Sequence, residues 1–97
     1  MELNKKKVLK EIEKNKSKIR SLGVKKIGLF GSILKNKQNK RSDIDLLVKF
    51  DKPTFDNYAA VLILLEKLFR RKIDLITESS LRPELAYVKR EAQYAGI

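Results

Sequence analysis

The stretch that decides the fold of this chain reads Lys25-Lys26-Ile27-Gly28-Leu29-Phe30-Gly31-Ser32, and ten residues later Asp43-Ile44-Asp45-Leu46-Leu47-Val48-Lys49-Phe50. Both runs are short, apolar and bounded by turn-forming or charged residues, which predicts two strands. The first strand, Lys25–Phe30, ends at Gly31, where the backbone can turn sharply and approach a ligand closely. The second strand, Asp43–Phe50, begins with alternating residues and becomes nearly all apolar. This pattern is typical of a central strand with a functional end.

Two carboxylates stand at the start of the second strand. Side chains at i and i+2 of a strand point to the same face, so Asp43 and Asp45 are expected about 6–7 Å apart along the strand. Like charges this close repel unless a cation lies between them, and Mg²⁺ is the natural occupant. A third short strand, predicted over Ile73–Thr77, carries Asp74, which would join them if the two strands are neighbours. Three carboxylates around two metal ions suit in-line phosphoryl or nucleotidyl transfer.

The small-residue turn between the first two strands offers a phosphate site. Ser32 supplies a hydroxyl and opens a short predicted helix or loop over Ile33–Lys40, and the free N–H groups at a helix start attract phosphate. Cations at Lys35, Lys37, Lys40 and Arg41 follow before the carboxylates. They form either a solvated loop or a site for a triphosphate or an acceptor, and both interpretations stay open.

In this order the motifs resemble a known family. The chain is similar to the minimal nucleotidyltransferases (MNT) of the polymerase-β superfamily. The resemblance covers about Val24 to Thr77 and rests on four quoted pieces: Leu29-Phe30-Gly31-Ser32, the basic loop from Lys35 to Arg41, Ser42-Asp43-Ile44-Asp45-Leu46-Leu47-Val48, and Asp74. It departs from the family pattern after Gly-Ser, where an arginine is common. This chain has Ile33 and Leu34 there, and Lys35 is the nearest cation.

The resemblance implies a role for each matched residue. Asp43, Asp45 and Asp74 would be the catalytic and metal-binding residues for two Mg²⁺ ions, with Asp74 helping to activate an attacking hydroxyl. Gly31 and Ser32 would cradle the β- and γ-phosphates of a nucleoside triphosphate, most simply ATP. Two further residues, Lys35 and Ser42, complete the nucleotide- and phosphate-binding set. The product would be an adenylylated acceptor.

The resemblance also implies a partner. Stand-alone minimal nucleotidyltransferases are often the antitoxin of a HEPN-domain toxin, and adenylylation of that toxin would neutralise it. Two other hypotheses remain. In the first, the chain is a non-catalytic module that masks a partner by contact. In the second, it is a basic nucleic-acid binder. The intact aspartates favour the enzyme, the missing arginine favours the module, and the scarcity of aromatic residues for stacking disfavours nucleic acid.

The length and amino-acid composition of the chain exclude several classes of protein and of catalytic site. The chain has 97 residues, and we interpret 1–97 as one domain with one modest core. The absence of cysteine and histidine excludes disulfides, Ser-His-Asp triads and histidine bases, which leaves carboxylates for metal or base chemistry. The longest apolar run, Ala59 to Leu65, is far below the roughly 20 residues of a membrane span. No signal peptide is apparent, so we expect a cytoplasmic protein without a membrane partner.

Charge is distributed unevenly along the chain. It carries 23 Lys and Arg against 12 Asp and Glu, and residues 1–41 hold 14 of the former and 3 of the latter. The whole net charge of +11 therefore lies in that part. Such a field favours anionic partners, namely nucleotide, nucleic acid or an acidic protein surface.

Periodicity predicts the order α-β-(α)-β-α-β-α, an α/β (α+β) fold with helices packed on a small mixed sheet. The predicted helices cover Glu2 to Leu22, Asp56 to Phe69, and a C-terminal segment opened by Ser79 or Ser80 with the stripe Leu81, Leu85, Val88 and Ala92. Outside the buried stripe of the middle helix lie Ile63 and Leu64, which favours docking or a homo-oligomer. The tyrosines Tyr58, Tyr87 and Tyr94 are interpreted as packing residues, and stacking of one of them on a base stays open.

Overall fold

The computed structural model describes residues 3–37 and 43–97. These residues form five helices and four strands, in the order α1 (Lys5–Lys14), α2 (Lys16–Ser21), β1 (Val24–Phe30), α3 (Gly31–Leu34), β2 (Ile44–Phe50), α4 (Phe55–Phe69), β3 (Ile73–Thr77), α5 (Tyr87–Glu91) and β4 (Gln93–Tyr94). Two short 3-10 turns, Glu78–Ser80 and Pro83–Leu85, lie between β3 and α5. No helix in the described part of the chain has the length and apolar character needed to cross a membrane.

The strands form one mixed sheet in the order β3-β2-β1-β4. Strand β1 pairs antiparallel with β2 and with β4, whereas β2 pairs parallel with β3. A parallel pair needs a long connection, and α4 provides it between β2 and β3. The predicted mixed sheet is confirmed.

One face of this sheet, the core face, is fully apolar. Alternate residues of β1 and β2 point into it, and Ile27, Leu29, Leu46 and Val48 are completely buried. The helices cover this face with side chains that recur at helical spacing and that are also completely buried: Val8, Ile12, Ile19, Val61 and Leu65. Burial of a large aliphatic side chain stabilises a fold by about 1.5–3 kcal/mol, so this face carries most of the stability.

The prediction of a single N-terminal helix over Glu2 to Leu22 is wrong, because two helices meet at Asn15. The Asn15 side chain donates a hydrogen bond to the carbonyl of Glu11 over 2.8 Å, and its backbone leaves the helical region at φ −107°, ψ 18°. Asparagine side chains compete with the helical hydrogen-bond pattern in this way. At the other end Asn4 begins α1 by accepting a bond from the Lys7 N–H over 2.9 Å.

The C-terminal segment also departs from the expected single helix. Pro83 disfavours helical backbone at the preceding residue, and Arg82 is indeed extended at φ −70°, ψ 153°. Two 3-10 turns and the five-residue α5 result. Of the predicted buried stripe only Val88 is buried, whereas Leu85 is 40% exposed. The two-residue strand β4, which pairs with β1, was not predicted.

Helix α4 and strand β3 agree closely with the sequence. Thr54 accepts a hydrogen bond from the Asn57 N–H over 3.1 Å and begins α4, and Arg70 ends it in the left-handed conformation at φ 53°. Strand β3 covers Ile73–Thr77 as predicted. The apolar residue Ile63 is 53% exposed, whereas Leu64 packs partly against the core, so the second apolar face of α4 is narrower than expected.

Candidate active site

The opposite face of the sheet, the site face, carries two carboxylates side by side. Phe30 pairs with Asp45 across the antiparallel ladder, and Asp45 pairs with Asp74 across the parallel one. Neighbouring strands lie about 4.7–4.9 Å apart, so the structure brings these two acids together on adjacent strands. The next row on this face contains Gly28, Leu47 and Ile76.

The pKa of the Asp45 carboxyl is raised from 3.8 to about 6. Burial is the largest cause, followed by the charge of Asp74, to which Asp45 is also hydrogen-bonded, and by the weaker charge of Asp43. A hydrogen bond from the backbone N–H of Ser32 acts in the opposite direction. Two acids that share one site in this way resist double ionisation, and a bound cation would relieve that cost.

The Gly-Ser turn is built against Asp45. Gly31 has a φ of +76°, and a Cβ atom placed on it would overlap a carboxylate oxygen of Asp45 and lie 2.9 Å from the Asp45 Cβ. Only glycine meets both conditions, because it has no side chain and adopts positive φ without strain. The next residue, Ser32, then directs its N–H at the same carboxylate. Glycine, serine and aspartate therefore form one structural unit.

Asp43 lies just before β2 and is half-buried. Its charge contributes to the raised pKa of Asp45 as the smallest of the causes. Within residues 3–37 and 43–97, no three acidic side chains are already gathered as ligands for a metal ion. The paired acids Asp45 and Asp74 are preassembled, and a set of three aspartate ligands stays a prediction.

The donor set nevertheless suits Mg²⁺. Carboxylate oxygens are the ligands this ion prefers, and it is commonly held by one or two carboxylates together with substrate phosphates. Asp45 and Asp74 satisfy that requirement without a third protein ligand. The residues present therefore fit a magnesium-bound triphosphate.

The predicted phosphate-binding cation Lys35 follows α3 and has an exposed side chain. Its Nζ lies 3.9 Å from Oε2 of Glu91, and both side chains are about half exposed, at 55% and 51%. Exposed pairs of this kind are weak, so Lys35 is available to another anion. Ser42, the other expected phosphate ligand, lies outside the described residues.

Two further residues border the site: Glu91, which the sequence does not single out, and Tyr58, for which it leaves stacking on a base open. Glu91 is the partner of Lys35, and Tyr58 donates its hydroxyl to the carbonyl of Leu75 over 2.5 Å, next to Asp74 on the edge strand. Burial, followed by the charge of Asp74, raises the pKa of Tyr58. Neither contact has a local sequence signal, because each joins residues at least 17 positions apart.

A mixed sheet with paired aspartates on adjacent parallel strands, and a Gly-Ser turn closed on one of them, defines a nucleotidyltransferase. The family model described as "Nucleotidyltransferase domain" matches residues 5–97. The chain belongs to this family, which confirms the enzyme class expected from the motifs.

Two curated relatives are similar over most of their length. "Putative protein adenylyltransferase MJ1379" of Methanocaldococcus jannaschii is 39% identical over 87 residues, which are 87% of this chain and 80% of the relative. "Protein adenylyltransferase MntA" of Thermococcus cleftensis is 36% identical over 93 residues, which are 89% of this chain and 94% of the relative.

Two solved structures share the fold. The "Structure of putative minimal nucleotidyltransferase" has a TM-score of 0.81 at 29% identity and covers 94% of this chain and 95% of its own. The "Crystal structure of the toxin-antitoxin with AMP-PNP" has a TM-score of 0.66 at 22% identity, with 95% and 72% covered. The first likeness confirms the minimal nucleotidyltransferase fold, and the second is a likeness in fold.

Proposed function

We propose that this chain is a Mg²⁺-dependent protein adenylyltransferase that moves AMP from ATP to a hydroxyl group of a partner protein, a HEPN-type toxin whose antitoxin it would be. The observation that carries the proposal is the Asp45–Asp74 pair with the Gly31-Ser32 turn closed against it. Relatives named protein adenylyltransferase support the reaction. A fold neighbour described as a toxin-antitoxin with AMP-PNP supports the nucleotide and the kind of partner.

The triphosphate would lie between the carboxylates and the turn. The turn would hold the β- and γ-phosphates, with Lys35 and Ser42 as further ligands. Asp45 and Asp74, with Asp43, would hold Mg²⁺, which when bound neutralises charge on the triphosphate and on the leaving pyrophosphate. The hydrogen bond from the Ser32 N–H to the Asp45 carboxylate supports this role for Asp45.

In the transfer step the acceptor hydroxyl oxygen forms a bond to the α-phosphorus. The bond from that phosphorus to the oxygen bridging to the β-phosphate breaks, and pyrophosphate leaves. The Asp74 carboxylate would take the proton of the attacking hydroxyl. In-line geometry requires the acceptor to approach from the side opposite the pyrophosphate.

The test measures transfer of label from α-labelled ATP to the partner in the presence of Mg²⁺. The protein would be co-expressed with a HEPN-type toxin as the acceptor. Asp45→Asn and Asp74→Asn should abolish transfer. Asp51→Asn serves as the matched control, because Asp51 is an exposed acid paired only loosely with Lys25 at 3.9 Å. Transfer that persists in both active-site variants would refute the proposal.

A non-catalytic module is the second candidate, and the residue after the Gly-Ser turn favours it. Ile33 stands where the family often has an arginine, and it is buried at 1% exposure, so it offers a phosphate no donor side chain. Such a module would bind the partner equally well with Asp45 and Asp74 intact or replaced, and the parent protein would transfer nothing. The same two variants therefore separate the two candidates by partner affinity and by label transfer.

A nucleic-acid partner remains the third candidate. Exposed lysines on α1, namely Lys5, Lys6, Lys10 and Lys14, favour an anionic surface in general. Binding dominated by phosphate contacts weakens steeply with salt. An affinity for RNA that is lost between low and moderate salt would support this candidate.

A further inference from the structure

A cleft of about 250 Å³ opens between the site face and the C-terminal segment. Its lining includes Phe30 and Gly31 from the turn, Ile76 from β3, and Leu85, Tyr87 and Val88 from the C-terminal segment. Because Phe30 is the register partner of Asp45 and Ile76 lies two residues beyond Asp74 on the same strand, the cleft begins directly beside the paired carboxylates.

The lining of this cleft is apolar. The two charged residues in it, Lys35 and Glu91, are paired with each other at its rim. Beyond Gly31 and Lys35, at the end next to the turn, the lining offers a phosphate none of the several donors that it needs. By contrast, a second cleft, on the other side of Lys35, is lined by Asn4, Lys5 and Lys6 and suits an anion. The apolar cleft suits a flat, uncharged group.

Two apolar side chains at the rim remain open to water. Tyr87 is 43% exposed and Leu85 is 40% exposed, whereas their neighbour Val88 is buried at 8%. Beside a cleft, these two groups offer an apolar surface that a bound ligand could cover. An aromatic ring at such a rim is the usual stacking partner of a base.

We propose that this cleft holds the base of the nucleoside triphosphate, with the ring of Tyr87 stacked on it. The proposal rests on the function proposed above. A volume of about 250 Å³ is below the roughly 300–1,000 Å³ that pockets for whole drug-sized ligands occupy, so the cleft takes part of a nucleotide. The remainder, the triphosphate, lies on the adjoining Gly31.

The position of the cleft also argues against the acceptor as its occupant. Gly31 belongs both to the cleft and to the turn that would hold the leaving pyrophosphate. The attacking hydroxyl must come from the opposite side of the α-phosphorus. A base, which is tethered to that phosphorus through the ribose, has no such restriction.

The experiment measures binding of ATP and of inorganic tripolyphosphate by the full chain in Mg²⁺, by calorimetry. Tyr87→Ala should weaken ATP binding by about tenfold, as the loss of one stacking contact does, and leave tripolyphosphate binding unchanged. Tyr87→Phe keeps the ring and should bind ATP like the parent. Phe55→Ala is the matched aromatic control, because Phe55 is 81% exposed and lines a separate groove beside β3.

Several outcomes would overturn the proposal. Tyr87→Ala that binds ATP as tightly as the parent but transfers less to the acceptor would assign the cleft to the acceptor. Equal weakening of ATP and tripolyphosphate would mean a general structural effect, and a thermal melt of Tyr87→Phe beside Tyr87→Ala would reveal it. A parent protein that binds neither ligand would refute the proposed function itself, which distinguishes that failure from failure of the cleft proposal.

Discussion

The two faces of the sheet are made from the same strands, but they differ in burial and in charge. On the core face, Leu29, Leu46 and Val48 are completely buried among aliphatic side chains. The site face carries Asp45, an acid with a pKa near 6, and the turn against it contains Gly31, which is held at positive φ. The core face lowers the free energy of folding, whereas the site face holds like charges together at a cost. Stability and chemistry are thus separated by a single residue step along β2.

The sharpest test of this separation changes two adjacent residues of β2. Leu46→Ala should destabilise the fold by about 2–5 kcal/mol, because it leaves a cavity in the core face. Asp45→Asn should abolish transfer and yet raise stability at pH 7, by no more than about 1 kcal/mol once solvent screening is allowed for. Denaturant unfolding of both variants checks this. A destabilised Asp45→Asn would contradict the separation.

Gly31→Ala tests how tightly the turn is built on the carboxylate. The added Cβ meets Asp45 and requires a strained φ of +76°, so we expect a loss of about 1–3 kcal/mol and no nucleotide binding. Combining it with Asp45→Ala should remove the overlap with the carboxylate, although not the 2.9 Å approach to the Cβ, and recover part of the stability. Strictly additive changes in the unfolding free energy would show that the two residues do not interact.

The raised pKa of Asp45 predicts how stability depends on pH. Between pH 3.8 and about 6, the folded state keeps a proton that the unfolded chain has already released. Stability from this group therefore falls as pH rises through that window. Asp45→Asn should flatten the profile there. Added Mg²⁺ should stabilise the protein more above pH 6 than below it, because it binds the ionised carboxylate.

Tyr94 tests a part of the site face away from the carboxylates. Its ring lies over Gly28, and its hydroxyl donates to Oε1 of Glu78 over 3.1 Å. Burial, followed by this hydrogen bond, raises the pKa of Tyr94 to about 12. Tyr94→Phe should cost about 1 kcal/mol of stability through the lost hydrogen bond. ATP affinity should stay unchanged. A large loss of ATP affinity would mean that the nucleotide reaches this row.

The smallest expected effect concerns the exposed pair at the cleft. Glu91→Gln should change the unfolding free energy by less than about 0.5 kcal/mol, because the Lys35–Glu91 pair is solvent-exposed. Removing the competing carboxylate should tighten tripolyphosphate binding if Lys35 is a phosphate ligand. Calorimetry on this variant checks the role of Lys35, and an unchanged affinity would contradict it.

The sequence predicted the strands and the middle helix because their signals are local. Alternation along β2 and the helical spacing of Val61 and Leu65 follow from the geometry of single elements. The break at Asn15 was missed because the side-chain amide of Asn15 donates to the Glu11 carbonyl that a helical backbone N–H would otherwise bond, and periodicity does not report this competition. The strand β4 was missed because two residues carry no periodicity, and only their pairing with β1 defines them.

For the site, the sequence alone determined which residues are candidates for chemistry: acids in apolar strands, a Gly-Ser turn, and no cysteine or histidine as alternatives. Tertiary structure decided how they meet. The parallel register places Asp74 beside Asp45. The turn approaches Asp45 so closely that a side chain at Gly31 would overlap the carboxylate. Tertiary structure also placed Tyr87 and the C-terminal segment in one cleft with Phe30 and Gly31. The reason is physical: periodicity reports which face a side chain takes within its own element, whereas register and packing between elements depend on contacts distant in sequence.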